Sequence, residues 1–307
     1  MAGRSDLWKR AVEKRKEFAE KMTGKPYDLA TEESYLEHTD TVPLIRFRAF
    51  QEIPFVNAAF STRIGGVSEG IFSELNLGFG RGDSEENVRK NYELFCESMG
   101  VPKTSLVLSD QIHETQIYTA GKKDVCGEVI EKRLTGIDGL VTNQPDVCLA
   151  TSYADCVPLF FVDKVKKVVA ASHSGWRGTV EKIGKKTVER MESEFSSDRR
   201  DIVAVIGPSI CQCCYEVGKE VADAFRKSYS EEQMKEIVYP SDKAEEKYYL
   251  DLWAANFFQL KDAGLLPEQI HVAGLCTCCN SKLLFSHRAT GGKRGNLNGF
   301  LSIAYKA

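Results

Sequence analysis

Two stretches, "VCLATSYADCVPLFFVD" (Val147–Asp163) and, three residues later, "KVVAASHSGWRGT" (Lys167–Thr179), decide the fold class. Their apolar runs are short, rich in β-branched and aromatic residues, and apolar on consecutive positions instead of alternating ones. That pattern predicts strands buried on both faces. Strand-like runs of the same texture recur on either side: "FVNAAFSTRIGGVS" (Phe55–Ser68), "SLVLSDQIH" (Ser105–His113), "DGLVTN" (Asp138–Asn143), "DIVAVIGPSI" (Asp201–Ile210) and "QIHVAGLC" (Gln269–Cys276). Between them lie helical patterns at "SEENVRKNYELFCESMG" (Ser84–Gly100), "TVEKIGKKTVERMESEF" (Thr179–Phe195), "VGKEVADAFRKSY" (Val217–Tyr229) and "YYLDLWAANFFQLKDAG" (Tyr248–Gly264). Asp83 and Ser84 stand where caps of the first helix belong. Strands and helices do not alternate strictly, so the expected fold is a layered α+β domain with mixed sheets.

Composition narrows the function classes. The 307 residues fit one large domain or two small ones. With 41 basic against 44 acidic residues and no sustained basic block, nothing points to nucleic acid; small molecules or further subunits are the expected partners. No apolar run is long enough for a membrane span. The first residues, "MAGRSDLWKRAVEKRKEF", mix acidic and basic side chains and lack an apolar core, so they read as neither secretory signal nor transit peptide. The expected location is therefore cytoplasmic, and the ten cysteines are expected as thiols or metal ligands more than as disulfides. Residues 1–41 read as a charged helix and loop, an extension that could serve as a homodimer interface, and 42–307 as one domain with no linker inside it.

Three side chains with metal-ligand chemistry fall at strand ends: His113 in "SDQIHETQIY", Cys156 in "SYADCVPLFF" and His173 in "AASHSGWRGT". Two imidazoles and a thiolate suit Zn²⁺, and three protein ligands leave a fourth position for water or substrate. Each residue alone could equally be a structural histidine or a core thiol. Three glycine-and-arginine loops suggest an anionic substrate. Arg63 lies in "FSTRIGGVSEG", Arg177 in "SGWRGT", and Arg288, Lys293 and Arg294 in "FSHRATGGKRGN". Arg177 could instead pair with Trp176 to support its turn. Two crowded C-x-C-C runs, Cys211, Cys213 and Cys214, then Cys276, Cys278 and Cys279, read as lacking the C-x-x-C spacing of zinc knuckles. They could meet as a second metal site, or be core thiols or a redox-sensitive pair.

Taken in order, "FSTRIGGVS", "DQIHETQIY", "DGLVTN", "ADCVPLFFVD", "AASHSGWRGT", "IGPSICQCCYEVG" and "DLWAANFFQL" resemble the laccase-domain, or polyphenol-oxidase-like, family of zinc-dependent purine nucleoside phosphorylases. The resemblance runs from Val42 to the C-terminus. It implies a single αββα-type layered domain with Zn²⁺ on His113, Cys156 and His173. It also implies phosphorolysis of adenosine, inosine, guanosine or methylthioadenosine by phosphate, with deamination of adenosine as a second activity. Zinc in such sites lowers the pKa of a water toward about 7, the chemistry deamination needs. For phosphorolysis, metal and arginines would order the anionic nucleophile. Arg63 and Arg177 are the first candidates for anion contacts and Arg288 the third, while Asp155 could orient a ligand histidine or merely cap a turn. The late loop departs from the family's pattern, carrying His287, Arg288, Ala289 and Thr290 where a tyrosine, paired arginines and an acidic residue are common.

Three other readings compete. The family's older name suggests Cu²⁺-dependent phenol oxidation, yet multicopper centres need many histidines and this chain has five: His38, His113, His173, His271 and His287. Cys156 and His173 could form a cysteine-hydrolase dyad. The triad could also be a structural metal clip in a binding protein, which would need a fourth protein ligand.

Overall fold

The structure, a computed structural model, describes residues 31–241 and 245–304. Two large sheets face each other. The first runs in the order β1 (Ser34–Glu37), β2 (Leu44–Phe47), β3 (Val56–Ser61), β16 (Leu297–Ile303), β8 (Cys148–Tyr153), β4 (Leu106–Asp110) and β6 (Leu134–Thr135). The second runs β15 (Ile270–Val272), β11 (Ile202–Ile206), β9 (Val157–Asp163), β10 (Val168–Ser174), β7 (Gly139–Thr142) and β5 (Ile117–Thr119). A small third sheet joins β12 (Glu216–Gly218), β14 (Lys247–Leu250) and β13 (Val238–Pro240). Parallel pairs (β4 with β8, β5 with β7, β11 with β15) sit among antiparallel ones, so both large sheets are mixed.

The described residues include eight α-helices: α1 (Arg48–Gln51), α2 (Glu85–Met99), α3 (Trp176–Val180), α4 (Ile183–Phe195), α5 (Lys219–Ser228), α6 (Glu231–Ile237), α7 (Leu252–Asp262) and α8 (His287–Thr290). They complete an αββα layering. Phe47, Phe60, Leu140, Phe160, Val162 and Leu301 fill the space between the sheets. On the outer face of the first sheet, Tyr92, Phe95 and Met99 of α2 cover Ala59, Leu108 and Phe300, with Phe95 stacked on Phe300 at 4.4 Å. On the outer face of the second, Val188 and Met191 of α4, Phe225 of α5 and Trp253 of α7 cover Leu159, Phe161, Val168 and Ala170. β9 shows why its sequence is apolar throughout: Phe160 and Val162 face the other sheet, and Leu159 and Phe161 face helices.

Several local expectations change in three dimensions. The run Val147–Asp163 is two strands in different sheets, β8 in the first and β9 in the second, and the chain turns between them at Asp155, whose φ of +85° is left-handed. The helix expected over Thr179–Phe195 breaks at Lys182, also left-handed at φ +60°, giving α3 and α4. Tyr248 and Tyr249 belong to β14; Asp251, accepting from the Trp253 and Ala254 amides, starts α7. Ser84 is the N-cap residue of α2, but its side chain makes no cap bond. The helix expected near the N-terminus lies outside the described residues, and the loop expected after it contains β1, paired antiparallel with β2. No helix among the described residues is long and apolar enough to cross a membrane.

Candidate metal centre

The centre forms where the chain crosses from one sheet to the other. The three crossovers from the first sheet to the second between β4 and β9, namely β4 to β5, β6 to β7 and β8 to β9, carry His113, Asp138 and Cys156 respectively. Sheet sandwiches turn their corners at such switches, and side chains of distant segments meet there. His173, at the end of β10, is brought alongside by antiparallel register: it pairs with Pro158, two residues beyond Cys156.

The ligand atoms of His113, Cys156 and His173 all lie within 4.8 Å of one another. The two imidazoles meet edge to face at 4.8 Å between centroids. His173 is buried, Cys156 half-buried and His113 exposed, so the cluster opens to solvent on the His113 side. Gly175 keeps that side open, because a Cβ there would stand 3.2 Å from both Cys156 Sγ and His113 Cδ2. The donor set fits a zinc-type ion with an open position, and the described residues bring no fourth His, Cys, Asp or Glu into this group.

Asp138 organises the site. Its carboxylate accepts from the backbone amides of Ile112, His113 and Glu114 at 3.1, 3.0 and 3.0 Å, which holds His113 at its left-handed φ of +67°. The same carboxylate meets His173 Nδ1 at 2.8 Å, leaving Nε2 for the cluster. Burial raises the Asp138 pKa, but His173 and the amide donors outweigh it and hold the group ionised. Cys156 and His173 are linked in the same way. Burial pushes the thiol up, yet the adjacent His173 and His113 bring it down to about 6. Burial pushes His173 down, yet Cys156 and Asp138 raise it to about 9. A thiolate beside an imidazolium is thus the favoured form when only protons compete.

Asp155 is engaged elsewhere, accepting from Thr277 Oγ1 at 2.6 Å and the Arg288 amide at 2.7 Å; the carboxylate that orients a histidine is Asp138. Sequence inspection passed over Asp138, which stands at the head of "DGLVTN", where Asp-Gly reads as an ordinary turn.

The first and third glycine-arginine loops pack together. Arg63 N donates to Leu283 O, Leu77 N to Asn296 O, and Asn296 N to Asn76 Oδ1. Within them Arg63 lies over the Phe285 ring at 4.5 Å and gives its N–H groups to the carbonyls of Ser73 and Ser281. Arg288 donates to the carbonyls of Cys214 and Glu216. Arg177 is exposed and covers the Trp176 ring at 4.4 Å. Two cations receive less. Arg294 is buried with its Nε unpartnered among the described residues, and burial and Arg81 bring its pKa down to about 10, while Asp155 and Cys156 pull the other way. Arg81 bears on both Arg294 and His287.

This geometry can be set against known proteins. Residues 57–304 match the family described as multi-copper polyphenol oxidoreductase laccase. The chain belongs to that family. It is 38% identical over 250 residues to a Bacillus subtilis protein named purine nucleoside phosphorylase YlmD, covering 81% of this chain and 88% of the relative. It is 35% identical over 240 residues to a protein of an unknown prokaryotic organism named adenosine deaminase RL5, covering 77% and 90%. The crystal structure of the Bacillus licheniformis hypothetical protein YfiH superposes with a TM-score of 0.80 at 32% identity, over 91% of this chain and 99% of that one. The layered α+β fold is therefore a family fold.

Proposed function

We propose that the chain is a zinc-dependent purine nucleoside phosphorylase acting on adenosine, inosine, guanosine or methylthioadenosine, with adenosine deamination as a second activity. The observation that carries this reading is the convergence of His113, Cys156 and His173, with Asp138 on His173 Nδ1, in an opening flanked by a buried arginine. The names of its relatives, phosphorylase and deaminase, support it.

Zinc, when held by the three side chains, supplies a Lewis acid and lowers the pKa of water. The remaining work belongs to the chain. In phosphorolysis a phosphate oxygen forms a bond to C1′ as the C1′–N9 bond breaks, and the departing base takes the electron pair and then a proton. In deamination a water oxygen adds at C6 of adenine and ammonia leaves. Both need a fixed nucleophile. Arg294 and Arg81 are the anion contacts that the geometry favours. Arg294 has a buried N–H to give, whereas the Arg63 and Arg288 guanidinium groups are occupied by carbonyls. Arg177, two residues beyond Gly175 and exposed over the Trp176 ring, is a further cation this reading can draw on. Asp138 keeps the proton on His173 Nδ1, so Nε2 stays a donor of electrons toward the centre. A cytoplasmic enzyme using free phosphate, as a monomer or homodimer, completes the proposal.

One observation favours a second reading. The Cys156 thiolate beside His173 has the make-up of a cysteine-hydrolase dyad. Product analysis separates the two. Zinc-loaded protein is incubated with adenosine, with and without phosphate, beside a His113→Ala control. Phosphate-dependent adenine and ribose 1-phosphate, absent in the control, support phosphorolysis; inosine without phosphate supports the deaminase. Neither product from protein carrying zinc at the triad would end the nucleoside reading, and esterase activity surviving chelation would move the dyad forward.

A further inference from the structure

The two crowded cysteine runs meet. Cys211 and Cys214 lie on a tight turn after β11, and Cys276 and Cys279 on the turn after β15, the strand parallel to β11. A parallel bridge between Ser209 and Cys276, with Ser209 N donating to Leu275 O and Thr277 N to Ser209 O, continues the ladder up to the cysteines. The expectation that these runs lack C-x-x-C spacing does not hold: the first and last cysteines of each are three residues apart, so the runs contain two C-x-x-C knuckles, with Cys213 and Cys278 as additional members.

The four Sγ atoms of Cys211, Cys214, Cys276 and Cys279 lie within 4.8 Å of one another, with Cys211 to Cys279 at 3.9 Å and Cys214 to Cys279 at 3.4 Å. Four thiolates at Zn–S of about 2.3 Å around one tetrahedral ion stand roughly 3.8 Å apart. Backbone amides already point at the sulfur of the first knuckle position: Cys211 N and Cys279 N each donate to Cys276 Sγ at 3.3 Å. Such donors stabilise a thiolate ligand. All the cysteines are free thiols in this structure. Cys211 and Cys276 are buried, Cys214 is half-buried and Cys279 is exposed, which closes the shell with protein on one side and leaves an entry path on the other.

We propose that Cys211, Cys214, Cys276 and Cys279 form a second, structural zinc site, separate from the His113–Cys156–His173 centre. Its four protein ligands leave no open coordination position, so the ion has a bracing role and no substrate. What it braces is visible. Thr277, between the ligands of the second knuckle, donates to Asp155 at 2.6 Å, the residue before Cys156. Arg288, whose amide also binds Asp155, donates to the Cys214 carbonyl. The second ion thus ties two loops to the segment that presents Cys156.

The test uses the full chain, purified under a thiol reductant without chelator and supplied with zinc. Metal analysis should find two zinc ions per chain, and one in Cys276→Ser/Cys279→Ser and in His113→Ala/His173→Ala. Cobalt substitution should give intense thiolate charge-transfer bands that persist in the histidine variant and fall, in the cysteine variant, to the weaker band of the single Cys156 thiolate. X-ray absorption on the wild type, which needs no variant to fold, should show five sulfur and two nitrogen protein ligands shared by two ions. One zinc per chain, lost in the histidine variant and with one sulfur and two nitrogens around it, would overturn the proposal. So would iron at the four thiolates, or a disulfide joining the runs under reductant.

Discussion

Asp138 shows how a single buried residue can organise a cluster. Its two carboxylate oxygens accept from three successive amides of the His113 loop and hold His173 Nδ1, so one side chain positions two of the three candidate donors. Asp138→Asn keeps the shape but offers one oxygen and no charge. It should weaken zinc binding at the triad by about 10–100-fold, read by competition with a chelator, and lower the melting temperature as well, because the buried Asn amide would face backbone N–H donors it cannot accept from. Gly175 is the converse case, a residue that acts by having no side chain. Its φ of −67° admits alanine, but the added Cβ would press on Cys156 Sγ and His113 Cδ2 at 3.2 Å. Gly175→Ala should fold normally and lose roughly 10²-fold in turnover, the scale of a small misplacement in an active site; unchanged turnover would show that the space above Cys156 is unused.

At the scale of elements, the break between α3 and α4 centres on Lys182. Its backbone is left-handed and its ammonium lies over the Tyr229 ring without a hydrogen-bond partner among the described residues. Burial, the largest cause, brings its pKa from 10.5 down to about 8. Between those values the unfolded chain holds a proton that the folded chain has released, so this group's contribution to stability rises with pH. Lys182→Met should therefore be more stable than wild type at pH 7, with the gap closing toward pH 10.5; a pH-independent difference in melting temperature would contradict this. The contact between sheets has its own test. Gly299 of β16 lies against the Phe160 ring of β9 so closely that a Cβ would overlap it. Gly299→Ala should cost about 1–3 kcal/mol by overpacking, seen as a lower urea midpoint with an unchanged slope.

For the molecule as a whole, the sandwich begins before the domain start suggested by the motifs. Thr31 and Ser34 side chains donate to the Ala273 carbonyl, and Glu33 meets His271 at 3.0 Å, so the segment entering β1 on the first sheet also grips the end of β15 on the second. A chain starting at Val42, lacking β1 and these contacts, should melt several degrees lower than one starting at Thr31. Equal melting of the two by calorimetry would place the working domain at 42–307.

Much of this architecture was legible. Consecutive apolar positions identified β9 as a strand buried on both faces, and the end-of-strand positions of His113, Cys156 and His173 picked out three side chains that the structure brings together as a candidate donor set, because these are local properties of residue type and spacing. The amino-acid order alone thus marked the buried strands such as β9 and β10, the longer helices to within their breaks, and which donor atoms the chain owns, while β1, β14 and β16 went unread. It could not determine that Val147–Asp163 divides between two sheets, that Asp138 and not Asp155 would hold His173, that Arg63 would spend its donors on carbonyls while Arg294 kept one, or that two C-x-C-C runs would face each other as knuckles. Those outcomes depend on strand pairing and crossovers between segments tens of residues apart. Such pairings are selected by the total burial of both sheets, and no local periodicity encodes them.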